Sequence, residues 1–116
     1  MADLLLDTDI FIDHLRGARK LAPGGSRVSY SVVTRCELFA GAGADEDGIR
    51  LLLGPFHEVP VDRPVAELAG RLRRGREMRT PDALIAATAL RSGLTLVTRN
   101  ARHFRDVPRL RVRDEV

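Results

Sequence analysis

The chain has 116 residues, of which 44% are hydrophobic and 30% are charged, so we predict one globular domain over residues 1–116. The net charge of +3 is uneven, because residues 1–61 carry −3 and residues 62–116 carry +6, almost all of the positive part being arginine. This charge permits a nucleic-acid partner, although a general bias toward arginine explains it equally well. The sequence has neither an apolar run of roughly 20 residues nor a signal-peptide pattern, so we expect no membrane partner and predict a cytoplasmic protein.

The first predicted strand and helix meet at an acidic turn. Leu4–Leu6 is a short apolar run, as in strands that are buried on both faces, and Asp7 follows it directly. Apolar residues then recur at helical spacing over residues 10–15, and Thr8 or Asp9 is placed to cap that helix. We therefore expect Asp7 at the carboxyl end of a sheet strand, where open α/β proteins bind their ligands.

The middle of the chain predicts two strands and two helices. Apolar residues alternate with serine over Val28–Val32, which indicates a strand. Helical spacing begins at about Val33 and ends at the glycines of Gly41–Gly43, and a second helical segment covers Asp45–Leu53. A short strand over His57–Val61 follows.

The last part of the chain predicts two long helices and two strands. Asp62 is placed to cap a helix whose buried stripe consists of Val65, Leu68, Ala69 and Leu72. Thr80 is expected to cap the next helix, which is apolar nearly all round over Ala83–Leu90 and is therefore buried. The remaining elements are a strand over Leu94–Val97, a helical turn over Ala101–Phe104 and a strand over Leu110–Val112.

Short aliphatic strands that alternate with helices predict an α/β fold. We expect three layers, with a central parallel sheet of about four to five strands and helices on both of its faces. Right-handed crossover connections would place the carboxyl ends of the strands at one edge of that sheet. Polar residues at this edge are the candidates for chemistry.

Four polar residues fall at positions that this layout brings together: Asp7, Glu37, Asp82 and Asn100. Their oxygen atoms are hard ligands, which favours Mg²⁺ or Mn²⁺, and a cluster of carboxylates would repel itself without a cation. We predict Asp7, Glu37 and Asp82 as metal ligands, and the same three residues together with Asn100 as catalytic residues. The three histidines lack a paired spacing and Cys36 is the only cysteine, which disfavours a metal site built from those residue types.

Each candidate also has a purely structural interpretation. Asp7 could simply end a strand, Asn100 is an ordinary turn residue, and Glu37 could be a solvated helix residue paired with an arginine. Asp82 is favourable in the first turn of any helix, but a buried helix would point its carboxylate inward, where an unpaired charge is costly. Asp9 and Asp13 are two further acids. We expect Asp9 to be a capping group and Asp13 a surface group, and neither to be a metal ligand.

Four segments distributed from end to end of the chain carry a resemblance to a known family. They are Leu5–Ile12, Thr34–Gly41, Pro81–Ala89 and Leu96–Phe104, of which the third is quite specific. In these segments the chain resembles PIN-domain ribonucleases, specifically the VapC type of toxin from type II toxin–antitoxin systems of bacteria and archaea. The resemblance implies a PIN fold, Mg²⁺- or Mn²⁺-dependent cleavage of RNA, and a cognate VapB-type antitoxin that occludes the site.

The resemblance also assigns roles to residues. The family's metal-site acids correspond to Asp7, Glu37 and Asp82, but its fourth position is often aspartate and here it is Asn100, which brings no charge and leaves a second metal ion open. VapC-type proteins usually form homodimers and bind the antitoxin as a helical segment in a groove. The aliphatic stretch Leu51–Leu53 is compatible with such a groove, as is Val61, although core packing explains both as well.

We hypothesise metal-assisted phosphodiester hydrolysis, in which a bound divalent ion activates water and Glu37 orients that water or accepts its proton. The arginines expected to hold the RNA backbone are Arg73, Arg74, Arg76 and Arg99. Two other functions stay open. The Asn100 departure favours a PIN-like module that binds RNA or a partner without cutting. The Asp7-Thr8-Asp9 segment after an apolar strand resembles haloacid-dehalogenase-type phosphatases, although Phe11 stands where that pattern has threonine or valine and Lys20 lies too early for its lysine, which an arginine could replace.

Overall fold

The computed structural model describes residues 3–17, 21 and 27–114 of the chain. Its strands, in chain order, are Leu4–Leu6 (β1), Val28–Ser31 (β2), His57–Val59 (β3), Thr95–Val97 (β4) and Val112–Arg113 (β5). Its α-helices are Thr8–Leu15 (α1), Val32–Phe39 (α2), Glu46–Leu53 (α3), Arg63–Arg73 (α4) and Thr80–Ser92 (α5). A short 3₁₀ helix covers Ala101–Phe104.

The five strands form one parallel sheet in the order β3-β2-β1-β4-β5. The central strand, β1, pairs Leu5 with Ser29 on one side and with Leu96 on the other. This architecture confirms the predicted α/β fold with a parallel sheet of four to five strands. Because all strands run the same way, their carboxyl ends meet at one edge, and the first residues after β1 and β4 lie side by side there.

The sheet is covered on both faces because side chains alternate along a strand. Leu5 and Leu96 belong to a buried cluster with residues of α4 and α5, whereas Leu4 and Leu6 belong to a second cluster with residues of α1, α2 and α3. All three leucines of β1 are at most 1% exposed, as expected for a strand with helices on both faces. These clusters confirm the predicted three layers.

Three helix starts differ from the sequence-based prediction. Asp7, rather than Thr8 or Asp9, is the N-cap of α1, and its Oδ1 accepts a hydrogen bond of 2.8 Å from the Thr8 N–H. Adjacent Asp and Thr residues are all good caps, so sequence alone does not separate them. Val32 is the first residue of α2 instead of the last residue of β2, because Ser31 is the N-cap of that helix. The N-cap of α5 is Arg79 rather than Thr80. Pro81 fits the first turn of α5, where a missing N–H leaves no bond unmade.

The other boundaries agree with prediction within a few residues, the shifts being largest for β3 and β5, which are shorter or later than expected. Asp62 caps α4, as predicted, and Gly93 closes α5 in the left-handed conformation. Among the aliphatic residues considered for a partner surface, Leu53 is fully buried, and Leu52 and Val61 pack against the core. Leu51 is 79% exposed. Among the described residues, no helix is both long and apolar enough to cross a membrane.

Candidate active site

Asp7 lies at the centre of the carboxyl edge of the sheet. Its backbone N–H donates to the carbonyl oxygen of Val97 at 2.9 Å, which ties the end of β1 to the end of β4. Its side chain is only 6% exposed. While Oδ1 accepts from the Thr8 N–H, Oδ2 accepts a 2.7 Å hydrogen bond from the hydroxyl of Thr98, which directly follows β4. Asp7 is therefore a buried, rigidly oriented carboxylate at the predicted place.

Burial raises the pKa of Asp7 to about 7, and the nearby charge of Asp9 acts in the same direction. Hydrogen bonds from Thr98 and Thr8 favour the ionised form and partly oppose this shift, while Asp82 adds further repulsion. A carboxylate is normally ionised at pH 7, so this one is held where its charge is poorly compensated. Such a group is a candidate for chemistry or for cation binding.

Asp9 binds the segment that follows β4. Its carboxylate accepts hydrogen bonds from the Thr98 hydroxyl at 3.2 Å, the Arg99 N–H at 3.2 Å and the Asn100 side-chain amide at 3.1 Å. The prediction of Asp9 as a helix cap was wrong, because Asp7 occupies the capping position and the buried Asp9 turns toward β4. Asp9 thus fixes Asn100 at the sheet edge.

Asp13 lies one turn further along α1 and is bound to the same segment. It is 8% exposed, and its Oδ1 accepts from the Arg99 guanidinium. The prediction of a surface group was therefore wrong, since an ion pair with a residue distant in sequence covers this carboxylate. Arg99 is thereby committed to α1, which weakens its candidacy as an RNA contact.

Glu37 reaches the site from α2 and is held by hydroxyl groups. Thr8 donates to its Oε1 at 2.6 Å, and the Thr8 and Thr34 hydroxyl oxygens lie 3.0 Å apart. The structural alternative of an ion pair with an arginine does not describe it, because neither Arg35 nor Arg50 pairs with Glu37: Arg35 pairs with Glu58 and Arg50 with acids of α3.

Asp82, in the first turn of α5, is half-buried. Burial raises its pKa, and the negative charge of Glu37 raises it further. The positive charges of Arg79 and His103 act in the opposite direction. These couplings place Asp82 within electrostatic reach of Asp7 and Glu37, so the structure brings the three predicted acids to one edge.

A cleft of about 510 Å³ opens beside Asp82, and Asn100 lines it. The residues that line this Asp82 cleft are Glu77, Met78, Arg79, Asp82, Asn100 and His103. Asn100 is exposed, but its amide nitrogen is occupied by Asp9, which leaves the amide oxygen as its free polar atom toward solvent. All four predicted site residues therefore lie at the same edge of the sheet.

The residues fit a hard divalent cation by donor type and charge. Asp7, Glu37 and Asp82 offer only carboxylate oxygens, which Mg²⁺ and Mn²⁺ prefer, and the raised pKa values of Asp7 and Asp82 show negative charge that a cation would compensate. Within residues 3–17, 21 and 27–114, no three His, Cys, Asp or Glu side chains form a ready-made metal-binding group. The fit is thus one of chemistry and not of preformed geometry.

Sequence reasoning missed the roles of Thr98 and His103. Thr98 is fully buried and supports both Asp7 and Asp9. Its position directly after β4, the strand that pairs with β1, is the signal that could have identified it, because residues after adjacent parallel strands are neighbours. No sequence pattern indicated a role for His103, and only its place in the Asp82 cleft draws attention to it.

Two of the other arginines predicted to hold RNA are engaged within the protein. Arg73 donates to the Met78 carbonyl at 3.0 Å. Arg76 donates to the Leu72 carbonyl at 3.1 Å and pairs with Asp106. These contacts fix the turn after α4, which gives both side chains a structural role.

The profile of the PIN domain matches residues 4–110 of the chain. The chain is 36% identical to Ribonuclease VapC19 of Mycobacterium tuberculosis over an alignment of 121 positions. The alignment covers 91% of this chain and 95% of that protein. It is also 36% identical to Ribonuclease VapC10 of the same organism over 117 residues, covering 87% of this chain and 85% of the relative. These similarities favour a ribonuclease over the phosphatase alternative.

The fold is similar to solved structures. A chain in a toxin-antitoxin complex from Klebsiella pneumoniae superposes with a TM-score of 0.80 and 30% identity, covering 98% of this chain and 100% of that one. The similarity covers nearly the whole of this chain, so it includes the carboxyl edge of the sheet.

Proposed function

We propose that this chain, which belongs to the PIN-domain family and within it to the VapC ribonucleases, hydrolyses phosphodiester bonds of RNA. The observation that carries this proposal is the set of same-sign charges at the sheet edge, where burial, Asp9 and Asp82 together raise the pKa of Asp7 to about 7. Structural ion pairs lower the energy of buried charges, whereas this arrangement raises it. It is therefore suited to bind a cation that acts on an anionic substrate.

The proposed cofactor is Mg²⁺ or Mn²⁺, held by Asp7 and Asp82 with Glu37 as a further ligand. When bound, such an ion supplies a more acidic water molecule and compensates negative charge on the attacked phosphate. Asn100 takes the place where the family often has a fourth acid, and it adds an oxygen without a charge. One ion rather than two is consistent with that lower charge.

The side chains of the chain itself perform the remaining tasks. Glu37 orients the attacking water or accepts its proton, and the Thr8 hydroxyl holds one of its oxygens in place. Thr98 fixes the carboxylate of Asp7, and Asp9 fixes the segment that presents Asn100. Such positioning keeps the catalytic groups in one orientation before the substrate binds.

The proposed partner is a VapB-type antitoxin, and the proposed assembly contains a homodimer of this chain. The similar chain in a toxin-antitoxin complex supports the antitoxin partner, and the homodimer is what the family resemblance implies. A largely apolar groove of about 520 Å³ lies between α1, α2 and α3, and Glu37 is one of its lining residues. Leu15, which is 53% exposed, lines it together with Leu38 and Ile49. An amphipathic antitoxin helix in this groove would lie next to the acidic site. The proposed location of the protein is the cytoplasm, where its RNA substrate is found.

The test is a cleavage assay on structured RNA with Mn²⁺ and with Mg²⁺. We expect Asp7→Asn and Asp82→Asn each to lower the rate by about 10³-fold, since each loses a charge that binds the cation. Asp47→Asn is the matched control, because Asp47 is an exposed acid paired with Arg50 on α3. It should cleave as the wild type does.

Calorimetric titration with Mn²⁺ separates the enzyme from a binding module that does not cut. The wild type should take up the ion, and the two site variants should not do so at the same concentration. A wild type that binds RNA but neither takes up the ion nor cleaves would establish the non-catalytic alternative. Cleavage that survives both substitutions would end the proposed mechanism.

A further inference from the structure

RNA is an anion, and the edge of the sheet that should cut it is strongly acidic. Asp7, Asp9, Glu37 and Asp82 repel a phosphodiester as well as one another. A bound divalent cation offsets only part of this charge. Positive side chains close to Asp82 are therefore needed to hold the backbone of the substrate.

The Asp82 cleft contains two side chains suited to this task, the always-charged guanidinium of Arg79 and the imidazole of His103, which can donate a hydrogen bond. Arg79 immediately precedes α5, and His103 lies in the 3₁₀ helix after β4, so they reach the cleft from separate elements. Both side chains are exposed. Each is close enough to Asp82 to act on it electrostatically.

Neither side chain is occupied elsewhere. Within the part of the chain that the structure describes, Arg79 and His103 form no hydrogen bond or ion pair through their side chains, in contrast to Arg73, Arg76 and Arg99. A guanidinium that is not paired internally keeps its donors for a ligand, and its fork geometry matches phosphate. The exposed Glu77 on the same cleft repels phosphate, so neutralising it should change RNA affinity in the opposite direction to the loss of Arg79.

We propose that Arg79 and His103 form the phosphate-binding arm of the site and hold the RNA backbone in the cleft beside Asp82. The proposal rests on the proposed ribonuclease function. It sets aside Arg73, Arg76 and Arg99, which are engaged within the protein, in favour of two residues that lie at the acidic site and have free donors, while Arg74 stays a prediction. Arg79 contacts phosphate oxygens directly, and His103 donates from its imidazole ring to a neighbouring phosphate.

The experiment measures binding without cleavage. A fluorescein-labelled single-stranded RNA of twelve nucleotides is titrated in chelator, and its anisotropy is followed from low to moderate salt. The variants are Arg79→Ala, His103→Gln, their double variant and Glu77→Gln. Arg91→Ala is the matched control, because Arg91 is an exposed arginine in the last turn of α5, about 18 Å from Arg79 along the helix axis.

We expect Arg79→Ala to weaken binding about five-fold, His103→Gln about three-fold and the double variant about ten-fold, with Glu77→Gln binding about two-fold more tightly. The slope of log affinity against log salt should fall by about 0.7 for each phosphate that a substitution leaves unbound. Arg79→Lys, which keeps the charge, should recover most of the affinity that Arg79→Ala removes. Arg91→Ala should bind as the wild type does, and circular dichroism melting verifies that every variant is folded.

Equal affinity and equal salt slope for Arg79→Ala, His103→Gln and Arg91→Ala would overturn the proposal, as would a wild type that binds no RNA. So would losses confined to antitoxin binding, because they would assign the cleft to a protein partner. Wild-type cleavage in the presence of Mn²⁺ is measured in parallel. If the wild type cuts RNA while the variants bind RNA normally, the phosphate-binding arm is refuted and the proposed ribonuclease function stands. If RNA binding falls as expected while no RNA is cut, the phosphate-binding arm stands and the ribonuclease function is refuted.

Discussion

The polar network around Arg35 and the acidic residues at the carboxyl edge of the sheet place charges in opposite ways. In the neutral triad of Tyr30, Arg35 and Glu58, the Arg35 guanidinium donates to Glu58 at 2.6 Å and to the Tyr30 hydroxyl at 3.0 Å, and Tyr30 donates to Glu58 at 3.0 Å. Arg35 therefore holds the pKa of Glu58 below its usual range. In the acidic cluster of Asp7, Asp9, Glu37 and Asp82, burial and like charges raise the pKa values of Asp7 and Asp82.

The difference distinguishes a network that stabilises the fold from one that we propose binds a ligand. Opposite charges in the neutral triad satisfy one another, so that network needs nothing from outside. The acidic cluster makes the folded state less stable than it would be with neutral side chains, and hydrogen bonds from Thr8 and Thr98 reduce this cost without removing it. A feature that costs stability in this way is typical of a functional site.

The largest expected effect comes from neutralising Asp7. A pKa raised from 3.8 to about 7 means that the folded protein holds this proton more tightly than the unfolded chain. The cost is absent below about pH 4, grows as the pH rises and is complete above about pH 7, where it reaches about 4 kcal/mol. Asp7→Asn should therefore be more stable than the wild type at pH 8 by up to this amount, although we expect it to cleave RNA about 10³-fold more slowly.

Urea unfolding of the two proteins in chelator, from pH 4 to pH 8, measures this difference. It should widen with pH and shrink when Mn²⁺ is added, because the ion stabilises only the wild type. A stability difference that does not change with pH would mean that Asp7 is adequately compensated, and the contrast with the neutral triad would disappear.

An intermediate effect is expected at Thr98, whose hydroxyl donates to Asp7 and accepts from the Asn100 N–H at 3.1 Å. Thr98→Val keeps the shape but leaves these groups without their partner, which should cost about 2 kcal/mol at pH 8. The matched control is Thr88→Val, also fully buried, whose hydroxyl donates only to the Leu84 carbonyl within α5 and should cost about 0.5 kcal/mol. Equal losses by thermal unfolding would show that Thr98 acts by packing alone.

The smallest effect is expected in the neutral triad. Glu58→Gln removes a pair whose side chains are both 37% exposed, so solvent screening limits its contribution to about 0.5 kcal/mol. Because the pKa of Glu58 is lowered, this contribution is present above its unfolded pKa and disappears as the pH falls through the folded value. RNA cleavage should not change, and a loss of activity in this variant would show that the triad also serves the site.

Local patterns predicted the elements because local physics forms them. The leucine run of β1 and the nearly uniform apolar surface of α5 indicate burial on several sides, and both elements are buried as expected. The helix starts were less accurate, since neighbouring residues such as Asp7, Thr8 and Asp9 have the same capping chemistry. The catalytic and metal-binding roles of Asp7, Glu37, Asp82 and Asn100 stay predictions that the experiments above test.

By itself, the sequence determined that strands and helices alternate and that an acid follows the first strand, because both depend on side-chain spacing within a few residues. Only the tertiary structure decided what those acids contact. Asp9 and Asp13 bind residues about ninety positions away along the chain, and one of these bonds pairs the Arg99 guanidinium with α1. Sheet pairing makes such neighbours, because β1 and β4 become adjacent through the fold and not through the order of the residues.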